Sequence, residues 1–148
     1  MIAQAFSAAG IDTTLSENVH AALWAKCCFI CAMSGVTTLT GKTLGALLED
    51  SETRQLLETV MHETRAVAEA HGVKFDQDPV AAGMATAARF PYEAKSSMLR
   101  DYERGAQIEI EALNGAIVQY GRRYGVPVPA NQAIYAALRM YDAPGVRG

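Results

Sequence analysis

SSMLRDYERGAQIEIEALNG, residues 96–115, decides how the chain is read. Taken in steps of three and four, Met98, Asp101, Gly105, Glu109, Leu113, Ala116 and Tyr120 fall on one side of a helix. The spacing predicts one continuous helix from about Ser96 to Tyr124, stopped by Gly125. Two carboxylates, Asp101 and Glu109, interrupt a stripe that should be apolar. An unpaired carboxylate is costly to bury, so each must face a cleft or meet donors and cations. Pairing with a neighbouring helix is the expectation for Asp101.

Working outward, Phe90-Pro91-Tyr92 breaks the chain before this segment, and Asp78-Pro79 predicts a helix start, the aspartate as cap and the proline in the first turn. That helix runs to Ala88. Before it, Leu56, Leu57, Val60, Met61, Thr64, Val67 and Ala68 repeat at helical spacing from about Asp50, and Gly72 ends the run. Further upstream, ENVHAALWAKCCFICAMS predicts a helix from Ser16 or Asn18 to about Ser34, with Val19, Ala22, Leu23, Lys26, Ile30 and Met33 on one face. Residues 1–9 read as a short helix stopped by Gly10. Downstream, Val126-Pro127-Val128-Pro129 must be extended, because X-Pro units disfavour helix. A last helix is expected from Asn131 to about Tyr141, with residues 142–148 fraying. No strand pattern is evident, so the expected fold class is all-α: six or seven helices, with residues 1–148 forming a single helical domain.

Composition narrows the function. The chain has 148 residues, half of them hydrophobic, enough for one domain with a real core. A net charge of −3 without a basic run argues against a nucleic-acid surface. The longest stretch nearly free of charge, residues 18–41, contains Lys26 and many polar residues, so no membrane span is expected. The N-terminus lacks the basic start and apolar run of a signal peptide, and a cytoplasmic location is the default. Cys28-x-x-Cys31 invites a metal or redox reading, but a structural zinc wants four ligands and only His20 is near. Cys27, Cys28 and Cys31 are therefore expected in the core. His62 and His71 are too far apart on one helix to share an ion, and no metal site is expected. Gly41-Lys42-Thr43 resembles the end of a phosphate-binding loop, yet its spacing from Gly35 is wrong and no strand precedes it. It reads as a turn.

Lys26 is the only charged residue between Glu17 and Lys42. It either snorkels from the edge of the core or works as a catalytic lysine in an apolar cleft, where desolvation and a nearby carboxylate oppose each other. Ser96 and Ser97 suit a capped helix start equally well.

Taken together, Ser96-Ser97-Met98-Leu99, Asp101, Glu109-Ile110, Leu113-Asn114-Gly115, Trp24-x-Lys26 and Pro129-x-Asn131 resemble, in order and spacing, the C-terminal half of the ketopantoate (2-dehydropantoate) reductase family. The resemblance implies an NADP-dependent oxidoreductase of pantothenate and coenzyme A biosynthesis, with a helical domain like that of 6-phosphogluconate dehydrogenase-like reductases. It implies that Lys26 is the general acid and that Ser97 contacts substrate. Glu109 would lie at the active site beside the substrate and the cofactor ribose. Ile30 and Ser34 stand where well-studied members carry asparagines that hold substrate; Ser34 keeps a substrate contact, whereas Ile30 cannot donate a hydrogen bond, which leaves another 2-keto acid open. Glu63 matches a glutamate common in the family, and a paired structural role is expected for it. The family's N-terminal dinucleotide-binding domain, with its glycine-rich turn, has no counterpart in this sequence. The chain is thus expected to be a C-terminal domain that neither binds NADPH tightly nor turns over by itself, with that domain, a small 2-keto acid and a second copy in a homodimer as partners. A stand-alone helical module that dimerises or binds a partner without catalysis is the alternative.

Overall fold

Helix α2 (Val19–Thr40) is the axis of the computed structural model, which describes residues 2–13 and 16–142. Asn18 caps it by accepting a hydrogen bond from the Ala21 amide at 3.1 Å, and Gly41 ends it in the left-handed region at φ 67°. It runs six residues past the expected stop at Ser34. Every residue from Cys31 to Thr38 is buried, and the Thr37 and Thr40 hydroxyls donate to the carbonyls of Met33 and Val36, so tertiary packing carries the helix through Gly35 and the threonines. By length and composition alone α2 could cross a membrane. Its buried half is the core helix of this domain.

Around it pack α3 (Leu44–Glu49), α4 (Ser51–Ala70), α5 (Pro79–Ala87) and α6 (Ser97–Glu103), then a π-helical turn (Glu111–Gly115), α7 (Ala116–Tyr124) and α8 (Pro129–Asp142). A short α1 (Ile2–Ala8) buries none of its residues. The described residues contain eight α-helices and no strand, so the fold is all-α as expected. The cap read from sequence at Asp78 holds, its carboxylate accepting from the Val80 amide at 3.1 Å ahead of Pro79, and Asp50, where the helical pattern was expected to begin, caps α4 by accepting from the Thr53 amide at 2.9 Å. Gly41-Lys42-Thr43 is the turn between α2 and α3. There Thr43 caps α3, while the Leu44 and Gly45 amides donate to the carbonyls of Ala94 and Tyr92 and pin the loop before α6. The expectation for residues 143–148 lies outside the described residues.

Three further expectations are corrected. The continuous helix from Ser96 to Tyr124 is broken: α6 ends at Glu103 with Arg104 as its C-cap, Gly105 turns left-handed at φ 67°, and residues 106–110 are irregular. The reason lies in Gln107-Ile108-Glu109-Ile110-Glu111, which alternates with period two, burying Ile108 and Ile110 and exposing the polar residues between. Second, the face of α2 carrying Val19, Leu23 and Lys26 points outward; Val19 and Leu23 are 55% and 59% exposed. The core side of the helix is instead Ala21, Cys28, Cys31, Ala32 and Val36. The last helix also starts two residues early, at Pro129.

Candidate functional site

The sequence-predicted site residues lie on or beside α2. Trp24 is half-buried, its ring centroid 6.0 Å from that of His71 at the end of α4 and 5.9 Å from that of Tyr120 on α7. The His71 Nδ1 lies 2.6 Å from the Tyr124 hydroxyl, which closes this aromatic cluster. It fastens the first half of α2 to two other helices. Two residues on, Lys26 is exposed, with no hydrogen-bond or ion-pair partner among the described residues. A water-excluding cleft around Lys26 would need walls from beyond the described residues.

Ile30, half-buried, follows one turn later, and Ser34 is buried at 5% exposure. Ser96 is buried too; its hydroxyl accepts from the Leu99 amide at 3.0 Å, capping α6, and lies 2.7 Å from the Thr37 hydroxyl. That contact sets the start of α6 against α2, and it leaves Ser97 exposed. Ser97 thus opens α6 near the part of α2 that carries Thr37.

Glu109 is exposed and unpartnered among the described residues. Directly after it the chain winds into the π-helical turn, closed by the Gly115 amide donating to the Ile110 carbonyl at 2.9 Å. Such turns insert an extra residue and re-aim side chains. Here the turn directs Asn114 inward, where its Nδ2 donates to the Cys31 carbonyl at 3.3 Å and to Asn131 Oδ1 at 2.9 Å. Asp101 pairs with Arg104 of its own turn, not with a neighbouring helix.

Glu63 completes this network. Only 9% exposed, its carboxylate accepts from the Ala130 amide at 2.8 Å and from the Asn131 amide and Nδ2 at 2.9 and 2.8 Å. These amides open α8 and have no carbonyl in their own helix. A carboxylate there also meets the positive end of the helix dipole. Glu63 is therefore structural, as expected; the partners of Asn114 and Asn131 were not legible, because they are 67 and more residues away or on another helix.

Between α2 and α7 runs an apolar groove of about 260 Å³, lined by Leu23, Trp24, Cys27, Ala112, Ala116, Ile117 and Tyr120. Lys26 neighbours Cys27 on one wall, and Glu109 precedes Ala112 by one turn on the other. An unpaired ammonium on α2, an exposed hydroxyl at the start of α6 and an unpaired carboxylate just ahead of the π-helical turn are thus presented to solvent. Such groups can stabilise a developing oxyanion, hand over a proton and orient a polar substrate.

The family model described as ketopantoate reductase PanE/ApbA C terminal matches residues 18–142. A 2-dehydropantoate 2-reductase of Mesorhizobium japonicum is 33% identical over 143 residues, which are 94% of this chain and 42% of that protein. The crystal structure of a PanE/ApbA family ketopantoate reductase from Ralstonia eutropha JMP134 superposes with a TM-score of 0.86 at 38% identity, covering 95% of this chain and 47% of that one. A D-mandelate dehydrogenase solved with NADH and anilino(oxo)acetate shares the fold, with a TM-score of 0.83 at 24% identity over 95% of this chain and 47% of its own. The chain spans about half the length of the relatives it matches.

Proposed function

We propose, from the premise that this chain belongs to the ketopantoate reductase family as its C-terminal domain, that it is the substrate half of an NADPH-dependent 2-dehydropantoate 2-reductase. The complete protein would convert ketopantoate to pantoate, in the cytoplasm, for coenzyme A biosynthesis. The observation that carries the reading is that Lys26, Ser97 and Glu109 are all exposed and unpartnered among the described residues, although their neighbours Trp24, Ser96 and Asn114 are locked into the fold. Side chains held ready without partners of their own suit a ligand and a second domain.

Among the described residues there is no strand, and the left-handed glycines Gly10, Gly41, Gly72, Gly105 and Gly125 all follow helices instead of opening one, so there is no cradle for a pyrophosphate. A preceding dinucleotide-binding domain is the partner that would hold NADP, whose reduced nicotinamide supplies hydride when bound. This chain's part is then at the carbonyl. Lys26 stabilises the negative charge growing on the keto oxygen and donates the proton to it. Glu109 orients the ammonium or the substrate hydroxyl and reaches toward the cofactor ribose. Ser97 binds the polar end of the substrate; Ser34, buried at 5% exposure, faces the packed half of α2 instead of an open site. A homodimer is the assembly expected of the complete protein.

Ile30 favours a second reading, a reductase of the same family for a more apolar 2-keto acid, since it places a branched alkyl group one turn from Lys26. The D-mandelate dehydrogenase with the same fold makes aryl keto acids worth including in the test. The complete protein is assayed with ketopantoate and with unbranched, branched and aryl 2-keto acids, each with NADPH and with NADH. A kcat/KM highest for ketopantoate with NADPH is expected; a preference for an aryl or alkyl keto acid by tenfold or more would transfer the function to the second reading.

A further inference from the structure

Thr37 and Ser96 are 59 residues apart in sequence, yet their hydroxyl oxygens stand 2.7 Å apart. Both side chains are buried. Buried hydroxyls are stable only where their protons and lone pairs find partners, and here one assignment serves every group. The Met33 carbonyl, 2.7 Å from Thr37 Oγ1, can only accept, so it takes the Thr37 proton. The Leu99 amide, 3.0 Å from Ser96 Oγ, can only donate, so it occupies a Ser96 lone pair. The Ser96 proton is then left for Thr37 Oγ1. A line of three hydrogen bonds thus runs from the first turn of α6, through Ser96 and Thr37, to the backbone of α2.

The line acts on the entry to α6. Two backbone bonds hold the segment ahead of that helix, from the Leu44 amide to the Ala94 carbonyl at 2.8 Å and from the Gly45 amide to the Tyr92 carbonyl at 3.0 Å. They reach no closer than Ala94, so Ser96 is where the helix start itself is tied to α2. Ser97 comes next, its Cα about 3.8 Å from that of Ser96, and it is exposed. Ser96 cannot turn without carrying Ser97 with it. Thr37 is 0% exposed and touches no ligand itself. Valine in its place keeps the β-branched outline and offers Ser96 no acceptor.

We propose that Thr37 is a positioning residue for substrate binding: by accepting from Ser96 it sets where the Ser97 hydroxyl meets the keto acid. The role rests on Ser97 being the substrate contact of the proposed reductase. Helix α2 then serves the reaction twice, bearing Lys26 on its outward face and, farther along, holding Ser97 in place through a buried link.

The test is a double-mutant cycle on KM in the complete protein, with its best keto acid and saturating dinucleotide: parent, Thr37→Val, Ser97→Ala and both together. Ser97→Ala should raise KM about tenfold and Thr37→Val about three- to tenfold, the worth of one hydrogen bond, with kcat within about twofold in each. The two together should raise KM no further than Ser97→Ala alone. Thr37→Ser, which keeps the acceptor, should show the parental KM. Loss of packing alone would lower Tm without this dependence on Ser97. If Thr37→Val does not fold, Ser96→Ala removes the same link from the α6 side and takes its place in the cycle. A parental KM in folded Thr37→Val beside a raised KM in Ser97→Ala, or KM effects that multiply in the double variant, would overturn the role of Thr37 and leave Ser97 as proposed. A parental KM in Ser97→Ala would remove Ser97 as the contact, and the role of Thr37 with it.

Discussion

Glu63→Gln is the sharpest probe of how the domain holds its site. The substitution keeps size and shape and replaces one carboxylate oxygen by an NH2 group. Glu63 now accepts three hydrogen bonds, two of them on Oε2, from the Asn131 amide and side chain. With oxygen retained toward Ala130, glutamine turns an NH2 against both Asn131 donors; with the amide reversed it opposes Ala130 instead. Hydrogen bonds to a charged group contribute about 1.5–3 kcal/mol each, and a buried donor left unpaired costs about 1–3 kcal/mol. Part of this is regained by local rearrangement, so a net loss of about 3 kcal/mol is expected. For a chain of this size, ~2–4 °C per kcal/mol translates this into a fall in Tm of roughly 6–12 °C. Because Asn131 also holds Asn114, Glu63→Gln combined with Asn131→Ala should cost less than the two single losses added. Thermal unfolding followed by circular dichroism measures all three variants. A Tm for Glu63→Gln within ~2 °C of the parent chain, less than ~1 kcal/mol at this size, would refute the capping role.

Gly35→Ala should destabilise by about 1–3 kcal/mol through overpacking, because the new Cβ would stand 2.9 Å from Asn114 Oδ1 and 3.0 Å from Ile134 Cγ2. Helix propensity alone gives the opposite sign, by about 1 kcal/mol, so a stabilised variant in urea melts would show that α2 and the π-helical turn do not pack this closely. Thr53, chiefly through its amide, holds the Asp50 carboxyl below its ordinary pKa. A depressed folded pKa stabilises above the unfolded pKa and loses that effect as pH falls through the folded one. The advantage of the parent chain over Asp50→Asn should therefore be present at neutral pH and fade below the usual aspartate range; a gap that widens on acidification would contradict it. Burial, with Cys27 close by, pushes the Cys28 thiol up to about 12. Iodoacetamide at neutral pH followed by peptide mapping should find Cys27 labelled first, and early labelling of Cys28 would reverse the assignment.

Much of the fold was legible because its signals are local. Asp50, Asp78-Pro79, Gly72 and Gly125 mark helix ends through bonds spanning two to five residues, and the stripe of α4 is read directly from one helix face. The break at Gly105 escaped notice because small and acidic residues happened to continue the three-and-four spacing across a segment that alternates with period two. The outward face of α2 was misread for another reason. Val19 and Leu23 are apolar, but the described residues leave them largely exposed, and a sequence does not say which chain segment covers a face. At the site, residue types were legible and partners were not: Glu63 was expected to be paired, yet its donors lie on α8, 67 and 68 residues away. Among the cysteines the familiar x-x spacing drew attention to Cys28 and Cys31, whereas helical geometry brings Cys27 to Cys31.

The central claim is that Lys26 is the proton donor of a keto-acid reductase, and the direct measurement is steady-state reduction of ketopantoate, or of whichever keto acid proves the better substrate, by the complete protein carrying Lys26→Ala. Lys26 is exposed and unpartnered among the described residues, so the substitution should leave Tm unchanged. A fall in kcat of about 10²–10⁴-fold is expected for loss of a general acid. A folded variant that keeps near-parental kcat would contradict the account and leave Lys26 a solvated surface lysine.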